Sequence, residues 1–187
     1  MGELSYHSSF EGRFSSRPTL KGSNWRRAIP RKPNKRRIKR ALRIQYAALP
    51  YRLLNGAALE FLVVTTRQSK RWIVPKGWPI KGLKPSQSAA REAFEEAGVR
   101  GKAGSKAIGQ YVYEKALDDI GITVACEVKV FPLLVKRQAA AWPESAERVI
   151  QWVDSATAEA LVSDEGLKTI IGAFAKRAAP SAAKSKA

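Results

Sequence analysis

Residues 72–100 read WIVPKGWPIKGLKPSQSAAREAFEEAGVR, and the rest of the chain is read outward from this stretch. Trp72 to Val74 is a short apolar run. Pro75 to Pro85 has the glycine and proline content of a loop. Ser86 to Ala97 reads as a helix, opened by Pro85 or Ser86 and ended by Gly98 in the left-handed position. At about 100° per residue, Glu92, Glu95 and Glu96 fall within an arc of roughly 100°. Ala90, Phe94 and Ala97 lie on the opposite side. The expectation is a helix that packs one face and holds three carboxylates on the other. Oxygen ligands of this kind suit a hard cation such as Mg2+, which keeps room for phosphate and water. Three glutamates on a helix are ordinarily just a solvated face, so the loop before them carries the distinction.

On the N-terminal side, IQYAALPYRL from Ile44 reads as a first strand, with Pro50 marking an edge or a bulge. Asn55-Gly56 is a hairpin turn signal. EFLVVTT, Glu60 to Thr66, is a β-branched run expected to be a buried strand. Arg67 to Arg71 reads as a polar turn and Trp72 to Pro75 as a short strand. On the C-terminal side, Gly109 to Lys115 alternates as a strand. Ile122 to Val135 is a long β-rich run with a bend expected near Pro132, and Gln138 to Pro143 is a loop. Glu147 to Val153 reads as another strand. Two helices follow, Ser155 to Val162 and Asp164 to Lys176, with Asp154 and Ser163 or Asp164 as N-caps. Strands and helices intermix without a regular alternation. That pattern predicts an α/β chain of the mixed, α+β kind, with helices on both faces of a mixed sheet.

The chain has 187 residues and a net charge of +18. Thirteen Lys/Arg against two Asp/Glu precede Ile44, so eleven of those charges lie there. Residues 1–40 have the composition of a basic disordered arm, with Trp25 as the large aromatic in it. This Arg- and Ser-rich start also resembles a transit peptide. Residues 41–177 are expected to form the domain and 178–187 a frayed tail. A basic surplus favours polyanions such as nucleotides, polyphosphates or RNA; the plain alternative is a solubilising tail. No apolar run approaches the ~18 residues of a transmembrane helix, and nothing reads as a signal peptide. The expected location is cytoplasmic. Oligomeric state is left open. The single cysteine, Cys126, lies in an apolar run and is expected to be buried and inert. The single histidine, His7, lies in the arm. Acid–base and metal chemistry must therefore rest on carboxylates, lysines or tyrosines.

The opening stretch resembles the Nudix box, the signature of the Nudix hydrolases. Gly77 takes the first position, and Arg91, Glu92, Glu95, Glu96, Gly98 and Val99 match at the family spacing. Ala93 is a loose match in an apolar slot. Leu83 stands where the family has an earlier glutamate. The wider resemblance runs from about Ile44 to Arg177, and ERVIQWVDSATAEAL looks like the closing strand and helix of such domains. The resemblance implies a Nudix-type α/β/α sandwich with a mixed central sheet. It implies a Mg2+-dependent pyrophosphohydrolase, with Mn2+ as the alternative ion. By the family pattern Glu95 and Glu96 are metal ligands, and Glu92 is a ligand or the catalytic base. Arg91 orients a catalytic glutamate, and a backbone carbonyl of Lys76 or Gly77 completes the metal sphere. With Leu83 in the box, a carboxylate from elsewhere is a candidate substitute: Glu114, Asp118, Asp119, Glu127 or Glu144.

Trp72-Ile73-Val74-Pro75 followed by Lys76-Gly77 looks like the diphosphoinositol polyphosphate phosphohydrolase group. Pro-Lys-Gly is also seen in the diadenosine polyphosphate hydrolases of the superfamily. The resemblance therefore points to a small substrate dense in phosphate. Lys76 is the expected phosphate contact, and Lys81 and Lys84 extend the positive rim; the alternative for each is an exposed lysine. Trp78 either covers the substrate or caps the core. Tyr111 and Tyr113 are expected on one sheet face, as core or support. Two other readings stand beside this one. An RNA 5′-pyrophosphohydrolase is motivated by the basic arm, and a non-catalytic nucleotide- or RNA-binding module by Leu83.

Overall fold

The structure is a computed structural model that describes residues 42–54, 58–117 and 122–178. The arm, the tail, Asn55-Gly56, Asp118 and Asp119 lie outside the described residues. Eight strands form one mixed sheet. Its centre is β1 (Arg43–Leu54) lying parallel to β7 (Ile122–Gln138), in register from Arg43 opposite Cys126 to Tyr51 opposite Leu134. Neighbouring residues of β1 point to opposite faces, as in any strand. Ala47 and Leu49 enter one core and Ala48 the other. A strand buried on both faces carries a near-continuous apolar run, which is why AALP shows no alternation.

The far side of β7 is shared. β6 (Gly109–Leu117) pairs with its first half and β5 (Val99–Ala103) with its end. β5 has no counterpart in the sequence reading, because VRGKA is short and polar in pattern; it follows from the chain turning back after the helix. On its other side β1 is flanked by two neighbours in succession. β4 (Lys76–Gly77) pairs with Tyr46 and Ala47, and β2 (Ala58–Thr65) pairs with Tyr51 to Leu54. Pro50 stands in the gap between them. The expectation of an edge strand is therefore corrected: β1 is central, and the missing N–H of Pro50 falls where no ladder partner exists. Beyond the hairpin β2 pairs with β3 (Trp72–Ile73) and with β8 (Ile150–Val153). β1 and β2 thus part company after four paired positions, and the fork between them opens toward the loop of the quoted stretch. β8 starts at Ile150, three residues later than expected.

Helices cover both faces, as an α/β/α sandwich requires. α1 (Pro85–Ala97) lays Ala89, Ala93 and Ala97 on Ala48, Leu62, Phe131 and Leu133. Small residues at spacings of four bring the helix close to the sheet, so Ala93 is where a larger apolar residue would not fit. α2 (Ser155–Leu161) and α3 (Glu165–Ala178) cover the other face through Ala158, Leu167, Ile170 and Ile171. Asp154 caps α2 by accepting the Thr157 N–H at 2.7 Å. No described helix is long and apolar enough to cross a membrane.

Candidate active site

α1 begins at Pro85, whose fixed φ suits the first turn. Its Gln87 side chain accepts the Lys84 N–H at 2.8 Å. It ends at Gly98, φ 71°, where the Gly98 N–H returns to the Phe94 carbonyl at 2.9 Å. The buried face is Ser88, Ala89, Ala93, Glu96 and Ala97. It is turned by roughly a quarter of a revolution from the one the sequence implied. The three glutamates keep their shared arc of the helix but differ in burial. Glu96 is on the buried side, Glu92 is half-buried beside Gly77, and Glu95 is half-exposed and paired with Arg91.

The fork between β1 and β2 forms a cavity of about 850 Å³. Glu92, Glu96, Glu114 and Glu144 supply its carboxylates. Arg67, Arg71, Lys76 and Lys115 bring cations to it, and Trp78 stands at its edge. Gly77 leaves room for Glu92 here: a methyl group at this position would overlap the Glu92 carboxylate in its present position. Lys76, on β4, donates to the Tyr113 hydroxyl at 3.0 Å, and Tyr113 donates on to Gln45 at 2.7 Å. Burial lowers the Lys76 pKa to about 8, against the pull of Glu96. The Trp78 ring is 37% exposed and carries two cations near its face, Arg43 at 5.9 Å and Lys115 at 4.9 Å from the centroid. It does not cap the core.

Glu96 is 5% exposed. Its Oε1 accepts from Arg148 Nη2 at 2.6 Å, and its Oε2 has no hydrogen-bond partner among the described residues. Burial raises its pKa to about 7, opposed by Arg148 and Lys76. Burial also raises the Glu92 pKa, with repulsion from Glu95 and Glu144 adding to it. Arg148 reaches Glu144 and the Thr65 carbonyl as well.

Of the residues singled out from the sequence, Lys76, Gly77, Trp78, Glu92 and Glu96 meet at the cavity. Glu95, held by Arg91 in an i,i+4 pair, does not line it, nor do Lys81, Lys84 or Arg91. Lys81 and Lys84 are exposed, and Lys84 precedes the first residue of α1. Leu83 is 41% exposed and does not line the cavity. Among the carboxylates weighed as substitutes, Glu114 and Glu144 line the cavity, whereas Glu127 pairs with Lys129 at 3.6 Å. Tyr111 is core, but Tyr113 reaches the site through its hydroxyl. Cys126 is a buried free thiol whose pKa burial raises. The sequence reading missed Arg148, Arg67, Arg71, Lys115 and Gln45. Arg67 and Arg71 bracket the turn before the box, and that turn was the one available signal.

A divalent cation fits this residue set. No three His, Cys, Asp or Glu side chains among the described residues form a cage by themselves. Mg2+ is, however, commonly bound through one or two carboxylates plus substrate phosphates. The bare, buried Oε2 of Glu96 and the Glu92 carboxylate cradled by Gly77 are donors of that kind.

The NUDIX domain family matches residues 47–171. Nudix hydrolase 21, chloroplastic, of Arabidopsis thaliana is 32% identical over 133 residues, covering 69% of this chain and 64% of that one. The chain thus spans somewhat less than two thirds of that relative's length. Diphosphoinositol polyphosphate phosphohydrolase 3-beta of Bos taurus is 51% identical over 43 residues, covering 23% of this chain and 26% of that one. Among solved structures, the C. elegans Ap4A hydrolase superposes with a TM-score of 0.54 at 18% identity, over 74% of this chain and 99% of that one. That likeness establishes the fold. The box at its spacing, the α/β/α sandwich around it and the family match over two thirds of the chain agree: this chain belongs to the NUDIX domain family.

Proposed function

We propose that this chain hydrolyses a phosphoanhydride bond in a small, phosphate-dense substrate, with Mg2+ or Mn2+ as cofactor. Diphosphoinositol polyphosphates and diadenosine polyphosphates are the substrate classes. The observation that carries the reading is one cavity lined by both carboxylates, Glu92, Glu96, Glu114 and Glu144, and cations, Arg67, Arg71, Lys76, Lys115 and Arg148. A chain of phosphates bound there would have its charge met by the cations and by metal held on the carboxylates. The 43-residue likeness to a diphosphoinositol polyphosphate phosphohydrolase favours the same class.

Glu92 and Glu96 would hold the ion, with a backbone carbonyl of Lys76 or Gly77 as the neighbouring donor. Bound divalent metal neutralises phosphate oxygens and makes a water nucleophilic near neutral pH. Lys76, fixed by Tyr113 and Gln45, presents an ammonium to a phosphate oxygen. Trp78, flanked by Arg43 and Lys115, closes the open edge of the cavity over the substrate. Arg91 keeps Glu95 paired on the helix.

The test is turnover of a panel of both substrate classes under metal titration, by wild type and by Glu92→Gln/Glu96→Gln. Wild type is expected to release phosphate or nucleotide only with metal, and the double variant to lose about 100-fold or more in kcat. No turnover by wild type across the panel refutes the substrate reading. Undiminished turnover by the variant refutes the site.

A further inference from the structure

Arg148 lies outside the box, though it lines the cavity. It sits in the segment before β8, and its side chain is 7% exposed. A guanidinium is a rigid planar fork whose donors point in fixed directions. Here three of its nitrogens meet three partners on three parts of the chain. Nη2 donates to Glu96 Oε1 on α1 at 2.6 Å, Nη1 to the Thr65 carbonyl ending β2 at 2.8 Å, and Nε to Glu144 Oε2. Glu144 is itself tied to α1, its N–H donating to the Glu95 carbonyl at 3.1 Å.

Two features separate this arrangement from a plain buried ion pair. A bidentate pair would occupy both oxygens of Glu96, yet only Oε1 is held and the buried Oε2 has no partner among the described residues. A lone Arg–Glu pair would also cancel the carboxylate's charge. Here the guanidinium is shared with Glu144, so it is not spent on Glu96 alone; Arg67 approaches the other oxygen of Glu144 at 4.0 Å. An oriented, unpaired carboxylate oxygen is what a hard cation needs.

We propose that Arg148 is the positioning residue of the site: it grips Glu96 by one oxygen and leaves the other for a divalent cation, while Glu144 takes a share of the guanidinium. The inference rests on the hydrolytic reading of the cavity. Lysine at 148 keeps the charge but is a flexible point donor that cannot span all three partners. Partners of this outer kind typically change metal affinity or activity by about 10- to 100-fold.

The experiment measures kcat and KM on the best substrate of the panel, and Mn2+ binding to the protein alone by electron paramagnetic resonance. Arg148→Lys is expected to lower kcat about tenfold or more and weaken Mn2+ binding by a similar factor, with KM within about twofold. The charge-balanced Arg148→Gln/Glu144→Gln, which removes one charge of each sign, is expected to do the same and covers the case in which Arg148→Lys fails to fold. A folded variant with a lowered Tm but wild-type kcat and Mn2+ affinity makes Arg148 a structural pin and overturns the proposal. If wild type hydrolyses nothing yet binds Mn2+ and Arg148→Lys weakens that binding, the positioning of Glu96 stands and the hydrolytic reading falls.

Discussion

Burial works against ionisation of Glu96, while Arg148 and Lys76 favour it, and the balance leaves its pKa at about 7. An unfolded glutamate titrates at 4.5, so the folded chain binds this proton more tightly. The resulting stabilisation is complete below the unfolded pKa and is lost as pH rises through about 7. In metal-free protein, Glu96→Gln is expected to flatten that part of the Tm profile, read by thermal melts from about pH 4.5 to 8. Metal and proton compete for the same carboxylate. Mn2+ affinity is therefore expected to fall roughly tenfold per pH unit below about 7, and a titration series that stays flat contradicts Glu96 as a ligand. Gly77 offers a second test. Its substitution by alanine displaces only the mobile end of Glu92, so Gly77→Ala should keep wild-type stability while losing about 10-fold or more in kcat. Matched melting curves and steady-state kinetics check it.

At the scale of the element, α1 is held at its C-terminal end as firmly as along its face. Gly98 takes the left-handed conformation, its carbonyl accepts from Ala139 at 2.9 Å, and the Trp142 indole donates to the Glu96 carbonyl at 3.2 Å. A Cβ on Gly98 would meet the Trp142 ring at 2.7 Å and strain the backbone as well. Gly98→Ala is expected to cost about 1–3 kcal/mol, measured by urea unfolding. Because Trp142 and Glu144 lie three residues or fewer apart, kcat should fall with it. Wild-type stability in this variant would show that the helix end relaxes freely. The glutamates were visible in the sequence as a group, but their roles were not. Periodicity places residues around a helix; it does not say which sector meets the sheet. The sequence placed the packed face opposite the glutamates, at Ala90, Phe94 and Ala97, whereas close packing against Ala48 buried Ala89, Ala93 and Ala97.

For the whole molecule, the sheet separates two cores with different consequences. The α1 side carries the glutamates of the site, while Tyr113 of the cavity lining packs against the α2–α3 core. Leu167→Ala removes a fully buried side chain beneath α3. It should destabilise by about 2–5 kcal/mol yet leave kcat/KM unchanged at temperatures where the protein is folded. Ala93→Leu overfills the close contact under α1 and should destabilise by about 1–3 kcal/mol while also lowering kcat, since α1 must shift. Comparing denaturant midpoints with kinetics for the two variants checks this division. Equal effects on kcat would mean that the two faces are mechanically coupled.

The sequence by itself determined the family, the helix with its stop at Gly98, most of the strands and the turn before the box. Each of these depends on local spacing, on a turn residue or on a motif with fixed intervals. Only the tertiary structure decided that β1 is central, because pairing partners lie far apart in the chain and Pro50 signals an edge only when its neighbours are unknown. Only it showed that Glu92 and Glu96 line the cavity while Glu95 pairs with Arg91. Only it brought Glu144 and Arg148 across from the segment before β8, since a buried charge finds its partner through space and leaves no interval to read.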